Sequence, residues 1–411
     1  MSRDRTPQAG RGGPTRRQLL LGGAVAGVGA AAAVGADALG RRAGTPADPE
    51  TREALHGTET VAFFGAHQAG IAAAPPQAHT TLVALDLHPA TDRDALRRMM
   101  RLLTDDAARL SQGRSALADS EPELAVVPAR LTVTFGFGPE LVRRAAPEAA
   151  PTWLRPLPAF TIDRLQDAWS HGDLLIQVAA DDPMTVAHAV RMLLKDTRSF
   201  ADLRWTQPGF RRSRGAEASG TTMRNLFGQV DGTVNPQPGT ADFDDLVWIA
   251  DGPLAGGTGL VLRRIAMNLD TWDELDRPGR EQSTGRFLAS GAPLTGTAEH
   301  DEPDFDATTA LGFPVIPEFS HIRRARSEDT RQRIVRRGYN YDGPPVDGAI
   351  SDSGLLFVSF QADVDAQFVP LQRRLDELDL LNQWTTPIGS AVFVIPPGCA
   401  EGGFVGDTLL A

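Results

Sequence analysis

The chain is poor in several things, and each shortage narrows what it can be. It has one cysteine in 411 residues, Cys399, so no disulfide forms within it. It has two tyrosines, Tyr339 and Tyr341, set two positions apart. It has no apolar run fit to cross a bilayer, which takes about 20 predominantly apolar residues; the run Leu19–Val34 is shorter and consists mostly of alanine and glycine. Positive charge is also in deficit, with a formal net charge of −11. An acidic protein of this kind argues against nucleic acid or an anionic membrane as partner, and it slows the approach of anionic small molecules.

What the N-terminus does have is an address. Thr15-Arg16-Arg17-Gln18-Leu19-Leu20 is a twin-arginine pattern, and Ala36-Asp37-Ala38 is an A-x-A-like cleavage site. Residues 1–38 are therefore expected to be a removed export signal, leaving an extracellular or cell-envelope protein without a stable membrane anchor. Their removal takes away five Arg and two Asp and brings the charge to −14. Residues 39–57, rich in Pro, Ala, Gly and charge, read as a tether.

The rest reads as two similar halves, 58–212 and 213–411. In the first, Thr80–Leu87, Leu131–Phe137, Leu174–Ala179 and residues 202–207 have strand patterns. A helix capped by Thr91 or Asp92 runs through Leu110 with Gly113 as its stop, and another starts at Asp182-Pro183. The order β-α-β-β-α-β is that of ferredoxin-like folds. In the second half, Gly259–Leu269, Arg333–Tyr341, Leu355–Gln361 and Ser390–Ile395 are expected strands. Trp272–Leu288, interrupted at Pro278-Gly279, and Asp363–Leu375 are expected helices. The fold class is thus α+β, with two ferredoxin-like units in one chain. The stretch Arg211–Gly220 is the expected boundary, and 290–318 is a long loop of the sort that often carries function.

Three pieces of the second half carry chemistry. Gly228-Gln229-Val230-Asp231-Gly232-Thr233 offers an acid between glycines, Ser320-His321-Ile322-Arg323-Arg324-Ala325 an imidazole, and Val335-Arg336-Arg337-Gly338-Tyr339 a guanidinium. Arg336 and Arg337 are adjacent on an expected strand, so only one of them faces a given pocket. Leu355 and Phe357 share a strand face and suit a dry wall. The acidic run from His300 to Asp306 reads as a solvated loop, with a metal site as its alternative.

The first piece matches the Gly-x-x-Asp-Gly motif of the dye-decolourising peroxidases, and the other two resemble segments of the same family. Phe64-Gly65-Ala66-His67-Gln68-Ala69-Gly70-Ile71, Phe135-Gly136-Phe137-Gly138-Pro139 and Gly257–Ile265 resemble further family segments. One departure is Thr258-Gly259-Leu260, where a Gly-Ser-Tyr-like stretch with its tyrosine is usual. The resemblance covers nearly the whole mature chain and is strongest to the exported A-type subgroup.

The resemblance implies two ferredoxin-like units in a barrel-like arrangement, with haem b held mainly in the second. With no C-x-x-C-H in the sequence, the haem would be non-covalent. It implies His321 as the proximal iron ligand, Asp231 as the distal acid and base, and Arg336 as the charge-stabilising group, with Arg337 as the alternative. Gly232, Thr233, Leu355 and Phe357 would line the haem, and Arg263 or Arg323 would reach a propionate or form structural salt bridges. Asp379 would orient the His321 ring, with Asp376 as rival. Tyr339 and Tyr341, with Trp384, Trp272 and Trp248 as further candidates, would relay electrons from bulky donors. The activity implied is reduction of hydrogen peroxide with oxidation of dyes and phenolics, through a ferryl porphyrin-radical intermediate. The alternative is an exported iron-acquisition protein of deferrochelatase type with iron-uptake partners. Self-association is compatible with either.

Overall fold

Residues 55–345, 348 and 351–411 are described by a computed structural model of the chain. The expected export signal and nearly all of the expected tether lie outside these residues. Its last position is already engaged: the Gly57 carbonyl accepts from the Ala129 amide at 2.8 Å, and the Glu59 carbonyl just beyond it accepts from the Arg130 amide at 2.7 Å.

In the first half, β1 (His79–Leu87), β2 (Thr132–Phe137), β3 (Leu174–Ala180) and β4 (Ala201–Phe210) pair antiparallel in the order β2-β3-β1-β4. Helices α1 (Arg93–Ser111) and α3 (Pro183–Thr197) pack against each other over this sheet. Asp92 caps α1 by accepting from the Ala95 amide at 2.8 Å. Leu96, Met99, Met100, Leu103, Ala107 and Leu110 recur at helical spacing and are all buried. Gly113, at φ +70°, turns the chain away just past the helix end. Asp182 caps α3 in the same way, with Pro183 in the first turn. A helix between them, α2 (Pro139–Ala145), is only seven residues long and too short for a periodic signal in the sequence.

The second half repeats the plan. Strands β5 (Thr258–Met267) and β8 (Asp352–Gln361) form its centre, with β9 (Thr385–Ile395) on the free side of β5 and with β6 (Val335–Arg336) and β7 (Tyr339–Gly343) both on the other edge of β8. The expected strand Arg333–Tyr341 is interrupted but not shifted, because Arg336↔Ser359 and Tyr339↔Leu356 belong to one register. In each half the first and third strands are central and the second and fourth lie at the edges, as in a ferredoxin-like unit. Single residue pairs, Phe137↔Val394 and Phe210↔Asn340, join the two sheets into a closed circuit. The helices here include α4 (Ala241–Val247), α5 (Leu269–Glu274), α6 (Arg277–Thr284), α7 (His321–Ala325) and α8 (Val369–Leu378).

Two expectations need correction. The break in the helical stretch falls at Leu275-Asp276, not at Pro278-Gly279. Asp276 caps α6 by accepting from the Gly279 amide, and Pro278 sits in the first turn, where no intrahelical donor is needed. The helix expected at Asp363–Leu375 is a π-helical turn, Val364–Phe368, leading into α8.

The alternation of strands decides where chemistry can sit. Leu260 and Leu262 of β5, Tyr339 and Tyr341 of β7, Leu356, Val358 and Phe360 of β8, and Phe393 and Ile395 of β9 share one buried cluster with Leu82, Leu175 and Trp205. That cluster fills the space between the two sheets. The intervening residues Arg263, Ile265, Met267, Leu355 and Phe357 point to the other face of the second sheet, where they wall a cavity of about 760 Å³.

Candidate active site

The loop carrying Asp231 is a side-chain-braced turn. Asn225 Oδ1 accepts from the Phe227 and Gln229 amides at 3.1 and 3.2 Å, and Arg224 and Val230 pair across its base. Gly228 has φ +79° and no atom within 4 Å of an added Cβ. Glycine is needed there for its backbone conformation rather than for space. Past the turn, Asp231 Oδ1 accepts from Arg336 Nη1 at 2.6 Å, and both side chains are part-buried in the cavity wall. The distance is that of a charge-assisted hydrogen bond. Behind this pair, Glu299 Oε1 accepts from Thr222 Oγ1 at 2.6 Å and from Thr233 Oγ1 at 2.9 Å, tying the loop to the long 290–318 segment.

His321 opens α7 and faces the same cavity. Its Nδ1 donates to Asp379 Oδ2 at 2.6 Å, a carboxylate only 4 % exposed. The other Asp379 oxygen accepts from the Leu381 amide at 3.0 Å, so the carboxylate is held on both sides. Burial alone would lower the His321 pKa, but the charge and hydrogen bond of Asp379 outweigh it and hold the pKa above its ordinary value. Arg336 and Asp231 also bear on this imidazole, with opposite signs, so the acid–guanidinium pair and the imidazole lie within electrostatic reach of each other. The arrangement leaves Nε2 as the ring nitrogen able to hold a metal, with the ring oriented by a carboxylate at Nδ1.

The donor set fits haem iron. Among the described residues no group of three or more His, Cys, Asp or Glu is placed to hold a bare ion. One imidazole with a fixed ring, in a cavity walled by Ile265, Met267, Leu355, Phe357 and Leu381, suits a metal that brings its own in-plane ligands.

Most of the sequence-derived residues meet at this cavity. Asp231, Gly232, Thr233, Arg263, His321, Arg336, Leu355, Phe357 and Asp379 all line it. Asp376, the rival carboxylate, is instead spent on the Thr161 and Ile162 amides and the Thr161 hydroxyl. Arg337 faces the opposite way and donates to the Ile71 carbonyl and Gln77 Oε1. Arg263 reaches the cavity, but its guanidinium is ion-paired with Asp163. Arg323 is not part of the wall: it donates to the Phe305 and Ile316 carbonyls.

The aromatic residues expected to relay electrons divide between the core and the cavity. Tyr339 and Tyr341 are 1 % and 3 % exposed and belong to the packing between the sheets, on the strand face away from Arg336. They are not surface residues. Of the tryptophans, Trp272 stacks on Phe227, a cavity residue, and meets Trp384 edge-on, whereas Trp248 stacks on His67. In the acidic run His300–Asp306, Asp301 Oδ2 caps the Thr297 and Ala298 amides.

Comparison with known proteins gives the family. The family model for the N-terminal domain of Dyp-type peroxidases matches residues 68–211, and that for the C-terminal domain matches residues 222–400. The chain belongs to the Dyp-type peroxidases. It is 37 % identical to a dye-decolorizing peroxidase of Thermobifida fusca (strain YX), over 98 % of this chain and 99 % of the relative. It is 35 % identical to a deferrochelatase of Escherichia coli O6:K15:H31, over 97 % of each. Among solved structures, a DyP-type peroxidase from Cellulomonas bogoriensis is 56 % identical, with a TM-score of 0.84, covering 87 % of this chain and 99 % of that one. The ferric form of DtpA from Streptomyces lividans is 40 % identical, with a TM-score of 0.83, covering 89 % and 100 %. A Dyp-type peroxidase is a haem enzyme.

Several wall residues of this Dyp-type peroxidase escaped the sequence reading. Arg286, Arg326 and Arg333 line the cavity, with Arg326 paired to Glu302 and Arg333 to Asp242. Nothing in local spacing separates them from the other arginines nearby. Asn235 also lines the cavity, and its position in the Asp231 segment was the one available sign.

Proposed function

We propose that this chain is an exported peroxidase that binds haem b non-covalently, reduces hydrogen peroxide and oxidises small aromatic donors. The observation that carries the reading is the meeting of two pairs in one apolar-walled cavity: His321 with Asp379, and Asp231 with Arg336. His321 Nε2 would hold the iron, with Asp379 fixing the ring. Bound haem supplies the redox centre, passing two electrons to the peroxide O–O bond and recovering them one at a time from donors. The protein supplies the proton traffic. Asp231 takes the proton from one peroxide oxygen and returns it to the departing one, so that water rather than hydroxide leaves. Arg336 aims donors at the charge that develops on the departing oxygen and fixes the Asp231 carboxylate in its rotamer. The twin-arginine pattern supports export of the folded protein.

Replacement of either partner tests the division of labour. Asp231→Ala and Arg336→Ala are each expected to slow the reaction of haem-loaded protein with peroxide by about 10²–10³-fold, with haem affinity retained. Wild-type peroxide rates in both would contradict the reading.

A second reading is supported by the 35 % identity to a deferrochelatase over nearly the full length. In it the same cavity holds haem as substrate and gives up its iron. Chromatography of the pigments after incubation with haem separates the two: metal-free porphyrin favours iron release, and intact haem with oxidised dye favours the peroxidase.

A further inference from the structure

Arg336 sits on a two-residue strand at a point where the sheet has no next neighbour. Towards β8 its position is a non-hydrogen-bonded pair with Ser359, since it is Arg337 that donates to the Val358 carbonyl, at 2.8 Å. The Arg336 N–H and C=O therefore point outward. The strand beyond, β4, joins this edge only at Phe210↔Asn340 and does not reach Arg336. Both outward groups are instead taken by one side chain. Asn235 Oδ1 accepts from the Arg336 amide at 3.0 Å, and Asn235 Nδ2 donates to the Arg336 carbonyl at 2.7 Å.

We propose that Asn235 is a positioning residue that aims the Arg336 guanidinium. Its carboxamide takes the place of the missing strand neighbour, and it does so from the loop that carries Asp231. The Asn235 amide donates to the Gly232 carbonyl at 3.1 Å, which fixes the short span between acid and carboxamide. The result is a closed ring: Asp231 bonds the Arg336 guanidinium, and Asn235, four residues on, bonds the Arg336 backbone. Acid loop and arginine strand are thus held at two points and move as one body. Among side chains of this length only asparagine presents one acceptor and one donor in a plane, matching the N–H and C=O of a single residue. Aspartate lacks the donor, and glutamine is one methylene too long. Misplacement of a reacting group by about 1 Å costs on the order of 100-fold in rate, so a loose Arg336 backbone would be felt in the peroxide step.

The inference rests on the catalytic reading of Arg336, and its test keeps the two apart. Hydrogen exchange of the segment 334–338 in haem-loaded protein reads the clamp directly, and the bimolecular rate with peroxide reads its consequence. Asn235→Ala is expected to raise exchange at the Arg336 amide at least about tenfold and to lower the peroxide rate by about 10–100-fold. Haem content and the KM for the organic donor should stay at wild-type values. Asn235→Asp, which keeps an acceptor for the amide, should fall between wild type and alanine in exchange; it also serves if the alanine variant does not fold. Unchanged exchange in the variants overturns the clamp. Raised exchange with an unchanged peroxide rate, while Arg336→Ala is slow, overturns the positioning role. A wild-type rate in Arg336→Ala would instead sink the catalytic reading of that arginine, and the positioning role with it.

Discussion

Asp379 holds His321 with one oxygen and the Leu381 amide with the other, so its substitution separates charge from geometry. Asp379→Asn keeps an acceptor for the imidazole but removes the charge. Haem affinity or peroxide reactivity is expected to fall by about 10–100-fold, read from a haem titration and a stopped-flow trace, and wild-type values would mean that Asp379 only packs. At this scale the sequence was legible where a residue stood inside a motif and illegible where two like residues stood close together. His321 and Asp231 were readable from their flanks. Asp376 and Asp379 lie three positions apart, and only the folded position of the 161–162 loop, which occupies Asp376, decides between them. Arg323 stood in the motif and proved to bind backbone carbonyls, whereas Arg326, outside it, lines the cavity. Strand alternation says that only one of Arg336 and Arg337 faces a given pocket; the family resemblance favoured Arg336, and the fold places it at the cavity while Arg337 faces away.

Helix α1 shows what the sequence conveys well about an element. Its cap, its apolar stripe and its glycine stop were each visible and each recurs in the structure. Asp92→Ala removes the bond to the Ala95 amide and is expected to cost about 1 kcal/mol, seen as a lowered urea midpoint with unchanged slope. A midpoint equal to wild type would show that the α1 start is held by packing alone. The stretch from Leu269 to Thr284 shows the opposite case. Pro278 looked like a breaker, yet a proline in the first turn interrupts no hydrogen bond, and the real break is set by the Asp276 cap two residues earlier. Short elements such as α2 and α7 carry too few residues for periodicity, and α7 matters most because it places His321.

The whole molecule joins its two sheets by two single-residue pairs, which no local pattern announces. That closure makes the space between the sheets a core, and it is why Tyr339 and Tyr341 are buried there. Burial pushes the Tyr341 phenol up to about 12. A half-buried group gives global stability a pH dependence. On α3, burial together with the charge and hydrogen bond of Asp106 on α1 pushes Asp196 up to about 7. The native chain then keeps a proton that the unfolded chain releases near the ordinary aspartate value of 3.8. This contribution to stability is complete below that value and is lost as pH rises through about 7. Asp196→Asn should remove that slope, so wild-type and variant Tm curves should diverge across this window; parallel curves would contradict it. The most direct test of the central claim is a haem titration followed by one equivalent of peroxide, for wild type beside His321→Ala. The account predicts a tight one-to-one haem complex that reacts rapidly in wild type, and loss of that complex or of its reaction in the variant. A variant that binds haem with the same spectrum and reacts at the same rate would show that His321 does not hold the iron, and would contradict the account.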